Sequence, residues 1–245
     1  MRTVAIIQAR VGSTRLPGKV LLDLCGKTVL GRVVERTSRM TRIKDVVVAT
    51  SNLESDDAVE EECRRLGVAC FRGSEDDVLD RFRGAAQALG AEQCVRITAD
   101  CPLIDPVVSD DIVAQFEATD PPVDYASNKI PQSFPRGLDT EVFTREALER
   151  SARWARKPYH RTHVTAYMYQ TPELFTMLSV VSDVDRADWR WTIDTPEDLA
   201  FVRSIYERFD RRSDFSWLEV VKLIESEPDL ANINKHVVQK EIEQG

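Results

Sequence analysis

The stretch Gln8-Ala9-Arg10-Val11-Gly12-Ser13-Thr14-Arg15-Leu16-Pro17-Gly18-Lys19 continues a short apolar run, Val4–Ala9, that reads as a buried strand. A loop that leaves the carboxyl end of a strand is where open α/β sheets bind ligands. Gly12 lets the backbone bend so that consecutive N–H groups can face one anion. Arg10, Arg15 and Lys19 supply three cations within ten residues, and Pro17-Gly18 sets a turn that aims Lys19 back toward the loop. Backbone donors, a forked cation and a point cation together suit a nucleoside triphosphate. The spacing is neither Gly-x-x-x-x-Gly-Lys-Ser/Thr nor Gly-x-Gly-x-x-Gly, which disfavours an ordinary P-loop or a dinucleotide fold. The plain alternative is a flexible basic loop with no ligand.

Outward from this loop, strand and helix patterns alternate. A helix near Val29–Arg39 is followed by a strand at Val46–Thr50, a helix at Asp56–Leu66 closed by Gly67, and a short strand at Val68–Phe71. A helix at Val78–Leu89, a strand at Cys94–Thr98 and a helix from Asp105-Pro106 to about Ala118 complete this half. Near-continuous apolar strands alternating with amphipathic helices predict an α/β fold, with a mostly parallel sheet covered by helices on both faces. After Asp120-Pro121-Pro122 the pattern changes, with strands expected at Asp124–Ser127, Thr140–Phe143, Leu174–Val181 and Trp189–Ile193, and a helix at Thr144–Arg156. Asp194-Thr195-Pro196-Glu197 reads as a helix start, with Thr195 at the N-cap and Pro196 at the first helical position. The segment from Ser213 reads as a helical, amphipathic, peripheral tail.

At 245 residues and 42% hydrophobic content, the chain is long enough to bury a core without disulfides or a structural metal. No apolar run approaches the ~20 residues of a membrane span, and the amino end lacks a signal-peptide pattern, which favours the cytoplasm. The net charge of −8 argues against a nucleic-acid binder. Yet residues 1–45 carry ten Lys and Arg against Asp23, Glu35 and Asp45, so a local anionic ligand is expected near the amino end. Arg32, Arg36 and Arg39 read as a solvated basic helix face. The five cysteines, with no Cys-x-x-Cys pair, read as reduced thiols that mostly fill the core.

The loop at 8–19 resembles the signature loop of the cytidylyltransferases that make CMP-activated sugars, nearest in form to the spore-coat polysaccharide F type. CMP-Kdo synthetases usually begin this loop Ile-Pro-Ala-Arg, whereas this chain has Ile-Gln-Ala-Arg. The resemblance spans roughly residues 3–210. It implies the three-layer nucleotide-diphospho-sugar transferase (Rossmann-like) fold over residues 1–212, with a small β-rich acceptor and dimerisation insertion at about 124–180, followed by a helical tail at 213–245. It implies a homodimer, CTP and a small-molecule acceptor as ligands, and Mg²⁺ as cofactor. Ala9, Arg10, Gly12, Ser13, Arg15, Lys19, Arg72 and Thr98 are the expected nucleotide contacts, and Lys19, Arg15 and Asp100 the catalytic residues.

Mg²⁺ takes oxygen ligands, often one or two carboxylates plus phosphate oxygens and water. Asp100, just past the strand 94–98, and Asp194, between a strand and a helix start, are the two carboxylates the resemblance assigns to it. Relatives with Asp-x-Asp at the second position have an acid where this chain has Thr192, so one carboxylate is expected there. Each has a structural alternative as a helix-cap neighbour, although Asp105 is better placed than Asp100 to cap the helix at 106. Asp198 reads as an exposed helix residue, and Asp77 equally as a helix-start residue or a neighbour of cytidine. In the acceptor region, Arg136 can clamp a carboxylate or phosphate, and Asp139 and Glu141 can accept from sugar hydroxyls; a structural ion-pair network is the alternative. His163-Val164-Thr165 matches part of the Glu-His-Val-Thr of relatives, with Thr162 where the Glu falls, and makes His163 a candidate contact. A glycosyltransferase using a nucleotide-sugar and a metal is the competing enzyme class, disfavoured by a loop better suited to three phosphates than to two.

Overall fold

The computed structural model describes residues 1–239; the last six positions of the expected tail, 240–245, lie outside the described residues. In chain order the elements are β1 (Thr3–Gln8), α1 (Val29–Thr37), β2 (Asp45–Ser51), α2 (Asp57–Leu66), β3 (Ala69–Gly73), α3 (Val78–Ala88), β4 (Gln93–Thr98) and α4 (Pro106–Ala118). They continue with β5 (Tyr125–Ser127), β6 (Glu141–Thr144), α5 (Arg145–Trp154), α6 (Pro158–Thr162), α7 (Ala166–Gln170), β7 (Met177–Ser179), α8 (Pro196–Arg208), α9 (Trp217–Ser226) and α10 (Asp229–Asn232). One seven-stranded sheet runs in the order β3-β2-β1-β4-β6-β5-β7. The first four of these strands are mutually parallel, and β6 alone is reversed, pairing antiparallel with both β4 and β5.

Side-chain alternation along β1 explains why the sheet needs cover on both faces. Ala5 and Ile7 join a core with α1, α2, α4, α8 and α9, whereas Val4 and Ile6 join a second core with α3 and α5. The expected mostly parallel, three-layer α/β sheet is therefore what the chain forms. Helix starts follow the sequence signals: Thr195 caps α8 in a capping box with Asp198, with Pro196 at its first position, and Asp105 caps α4 through the Val107 and Val108 amides.

Four local expectations are corrected. Trp189–Ile193 is no strand. The chain instead crosses the 135–137 turn, where the Arg136 amide donates to the Trp189 carbonyl at 2.8 Å and the Trp191 amide to the Arg136 carbonyl at 2.7 Å. Gly137, at φ +112°, makes this crossing possible, because a Cβ there would lie 2.7 Å from the Trp191 carbonyl carbon. Arg32 and Arg36 are buried at 1% exposure rather than solvated. Arg36 donates to the carbonyls of Ile104, Ser213 and Phe215 at 2.6–3.0 Å, and Arg32 to those of Leu24, Cys25 and Arg211 at 2.7–3.1 Å. Their guanidinium carbons also lie 4.4 Å from the Tyr206 ring centroid and 4.6 Å from that of Phe215.

These arginines satisfy the backbone where the chain turns from α8 into α9. That segment is not peripheral, since Phe215, Val220, Val221, Ile224 and Leu230 are all part of the larger core. Asp198 is wholly buried, not exposed, and accepts from the amides of Asp194 and Thr195. Cys63, Cys94 and Cys101 are buried, in keeping with filler thiols. Among the described residues no helix is long and apolar enough to cross a membrane.

Replacing Arg36 by Met keeps the apolar stem but leaves the interior carbonyls of Ile104 and Phe215 without this donor, while the Ser213 carbonyl keeps Arg39. We expect a loss of about 3 kcal/mol, read from the urea midpoint at unchanged m-value. Arg42→Met, which removes a half-exposed pair with Glu117, serves as the control and is expected to cost under about 1 kcal/mol.

Candidate active site

β1 ends at Gln8, and the following loop folds back on itself through Gly18, whose φ of +68° suits glycine and whose amide donates to the Val11 carbonyl at 3.1 Å. The loop is braced from below by the buried Asp56, which accepts the Val11 amide at 2.7 Å and is held by the Ser51 hydroxyl. Sequence reasoning missed this brace, because Asp56 reads as an ordinary helix-start acid.

The turn Lys19–Leu21 then delivers Lys19 to the centre of the site. Its Nζ donates to Asp100 Oδ2 at 2.6 Å, to Asp194 Oδ1 at 2.8 Å and to the Ile193 carbonyl at 2.8 Å. Arg15 pairs with the other oxygen of Asp194 at 2.9 Å, an oxygen that also takes the Arg190 guanidinium. Arg190 is locked in turn by Asp198 at 2.9 Å. It too escaped sequence reasoning, yet Arg190, Thr192 and Asp194 recur with a period of two, which in an extended segment puts them on one side.

Two adjoining cavities open on this cluster. The first, about 400 Å³, is lined by Arg10, Gly12, Ser13, Arg15, Lys19 and Thr98 with both aspartates. The second, about 630 Å³, is lined by Arg136, Asp139, Glu141, Arg96, Lys129 and Tyr169. Arg15, Thr98, Asp100, His163 and Asp194 face both cavities. The fold thus brings together the expected nucleotide, metal and acceptor candidates, with two exceptions. Ala9 is buried beside β2, its amide bonded to the Ala49 carbonyl at 3.2 Å. Arg72 is turned to Asp57 and Glu60 and to the carbonyls of Ser51 and Leu53, and lines neither cavity.

The expected accepting role of Glu141 meets a carboxylate that is already saturated. It takes the Tyr125 hydroxyl at 2.7 Å, the Thr165 hydroxyl at 2.5 Å and the Arg96 guanidinium. Burial pushes its carboxyl up, but Arg96, Lys129 and these hydroxyls outweigh burial and hold it at about 2. Asp139 behaves differently: burial dominates and raises its carboxyl above the ordinary range, against the pull of Lys129 and the Gln132 amide. Arg10 is engaged by Glu75 at 2.8 Å. Burial and the neighbouring Asp100 keep the Cys101 thiol well above its ordinary range, and so protonated rather than nucleophilic.

Burial raises the Asp100 carboxyl, but Lys19, with the Thr98 hydroxyl and a backbone amide, outweighs it, so the carboxyl falls from 3.8 to about 2. Lys19 itself is lowered by burial but raised further by the two carboxylates, and stays above its ordinary value. Oxygens from both acids within 2.8 Å of one nitrogen leave a place for a single compact cation. Among the described residues no group of three or more His, Cys, Asp or Glu side chains surrounds such a place, so a metal held there needs further oxygens from a ligand.

Cations on a strand-end loop facing one carboxylate just past β4 and another just before α8, with room for a second substrate alongside, define a nucleotidyltransferase. Comparison with known proteins carries this further. A family model described as cytidylyltransferase matches residues 4–225, and the chain belongs to that family. It is 34% identical over 233 residues to the spore coat polysaccharide biosynthesis protein SpsF of Bacillus subtilis, covering 92% of this chain and 95% of that one. It is 38% identical over 242 residues to an uncharacterised protein of Methanocaldococcus jannaschii, covering 98% and 97%. A solved cytidylyltransferase from Leptospira borgpetersenii superimposes with a TM-score of 0.91 at 34% identity, over 98% of this chain and all of that one. The competing glycosyltransferase class is thereby set aside.

The Lys19–Asp100 pair has a pH signature. The unfolded Asp100 takes up its proton near 3.8 and the folded one only near 2, so the unfolded state binds more protons in between and stability rises with pH through that window. The contribution, roughly 2 kcal/mol, is fully present above about pH 4 and lost as pH falls through 2. Asp100→Asn is expected to flatten this part of the stability profile. A difference between the two proteins that stays constant from pH 5 to pH 2 contradicts the assignment.

Proposed function

We propose that the protein transfers CMP from CTP to a sugar or sugar-acid acceptor, with release of pyrophosphate, in the making of a surface polysaccharide. The observation that carries this reading is the meeting of Lys19 and Arg15 with Asp100 and Asp194 where the two cavities join. The smaller cavity, walled by the 10–19 loop, suits the triphosphate, and the larger one suits the acceptor. An acceptor hydroxyl entering from the larger cavity reaches the α-phosphorus from the side opposite the leaving pyrophosphate, as in-line displacement requires. Arg15 and Lys19 then meet charge that builds on the phosphate oxygens, and the buried shelf beneath them keeps those donors in place before reaction.

Asp100 and Asp194 would hold Mg²⁺, which supplies charge neutralisation for a bound triphosphate. The acceptor class follows from charge. Arg96 in the larger cavity is consumed by Glu141, whereas Arg136 and Lys129 contact no carboxylate among the described residues. Two cations left available beside the protonation-prone Asp139 favour an acceptor bearing a carboxylate, bound by Arg136, with Asp139 and His163 toward its hydroxyls. The resemblance to CMP-sugar synthetases also supports a homodimer, and Leu174, Met177 and Val181, exposed around the outer strand β7, support the 124–180 segment as its contact. Sedimentation is expected to return a dimer, and a particle of 27.8 kDa counts against it.

The experiment is pyrophosphate release with CTP and Mg²⁺ over a panel of acidic and neutral sugars. Acidic sugars are expected to be the substrates, and Lys19→Ala to lower kcat about 10²–10³-fold. Turnover of Lys19→Ala at the wild-type rate with saturating CTP contradicts the role of Lys19, and preference for neutral acceptors contradicts that of Arg136.

A further inference from the structure

The ammonium group of Lys19 stands where the proposed metal has to stand. Its three hydrogens are all used, on Asp100 Oδ2 at 2.6 Å, Asp194 Oδ1 at 2.8 Å and the Ile193 carbonyl at 2.8 Å. A divalent ion gripping the same two carboxylate oxygens at about 2.0–2.1 Å falls inside the volume this nitrogen fills. The two cations therefore exclude each other.

Charge leads to the same result. Asp100, Asp194 and Asp198 are in contact with Lys19, Arg15 and Arg190, three negative groups against three positive ones. A bare divalent ion added to a neutral, mostly shielded cluster raises its charge by two with nothing to offset it. A nucleoside triphosphate brings about four negative charges and offers the ammonium new oxygens. Lys19 already lines the cavity walled by Arg10, Gly12 and Ser13, so this exchange asks only for movement of its own side chain.

We infer that Lys19 is a placeholder for the metal: it holds Asp100 and Asp194 together and keeps free divalent cations out until a nucleoside triphosphate draws its ammonium away. Metal and triphosphate then enter as one unit, and the two acids are already positioned when they arrive. This rests on the metal assignment proposed above, and Lys19 acts here as a positioning residue in addition to its contact with phosphate.

The test is Mn²⁺ binding to the full-length protein, followed by electron paramagnetic resonance without nucleotide. Lys19→Met is expected to bind one Mn²⁺ at least about tenfold more tightly than the wild type. Adding Asp100→Asn to Lys19→Met should remove the gain. Equal Mn²⁺ affinity in wild type and Lys19→Met overturns the inference.

The wild type alone gives a second readout that does not depend on the variant's folding. Millimolar Mn²⁺ is expected to leave its Tm unchanged, and Mn²⁺ with CTP to raise it. A rise with Mn²⁺ alone that Asp100→Asn abolishes overturns the placeholder while leaving the metal site standing. Failure of the underlying metal reading looks different: neither protein then retains Mn²⁺ even with CTP, and the inference falls with it.

Discussion

The three-way contact among Lys19, Asp100 and Asp194 is the constraint on which the rest of the site depends. It joins a loop after β1, the end of β4 and the start of α8, segments 81 and 175 residues distant from Lys19 along the chain. Removing one member of such a shielded cluster costs more than a surface ion pair returns, because the partners are left charged and poorly solvated. The contact is also supported from behind. Asp198 sits in the first turn of α8, where the positive end of the helix favours a carboxylate, and it grips Arg190, which in turn presses on Asp194. The orientation of one acid is thus set by the way a helix begins.

Elsewhere the chain uses arginine for backbone satisfaction rather than for ligand binding. Arg32 and Arg36 together take the carbonyls of residues 24, 25, 104, 211, 213 and 215, tying the first helix to the carboxyl-terminal segment. A buried carbonyl without a donor is costly, and a planar fork satisfies two or three of them from one side chain. The basic excess near the amino end therefore divides by what its side chains contact. Arg32 and Arg36 cement the fold, while Arg10, Arg15 and Lys19 reach the cavities.

What could be read in advance follows from how local each signal is. The strands and helices of the first half are legible because apolar periodicity, Gly67 and the cap at Asp105 act within a turn or two of the residues they govern, as does the cap at Thr195 for α8. The loop cations and Asp100 are legible because their place after β1 and β4 follows from the same pattern, and Asp194 because Thr195-Pro196 marks the helix start beside it. Arg36 and Asp198 are misjudged because partners that help to bury them, Ile104, Ser213 and Phe215 for Arg36 and Asn234 for Asp198, lie far along the chain, whereas Glu141 is held in the ion-pair network that stood as its alternative. Arg72 differs, since a strand-end arginine near the site has two directions available, and acids on the neighbouring helix, Asp57 and Glu60, decide between them.

The reversal of β6 gives the larger cavity its place. In a parallel sheet, the ends of β1 and β4 that carry Gln8 and Thr98 lie at one edge. Had β6 run parallel to them, its first residue would have met the opposite edge, far from the 10–19 loop. Because it is antiparallel, Glu141 pairs in register with Arg96, and the preceding Arg136–Asp139 turn emerges at the same edge as Thr98 and Asp100. A single change of strand direction thus sets the cations of the larger cavity beside those of the smaller one. The Arg96–Glu141 pair, sunk between β4 and β6, neutralises the charges along that seam and leaves Arg136 and Lys129 as the cations of the larger cavity that no carboxylate contacts among the described residues.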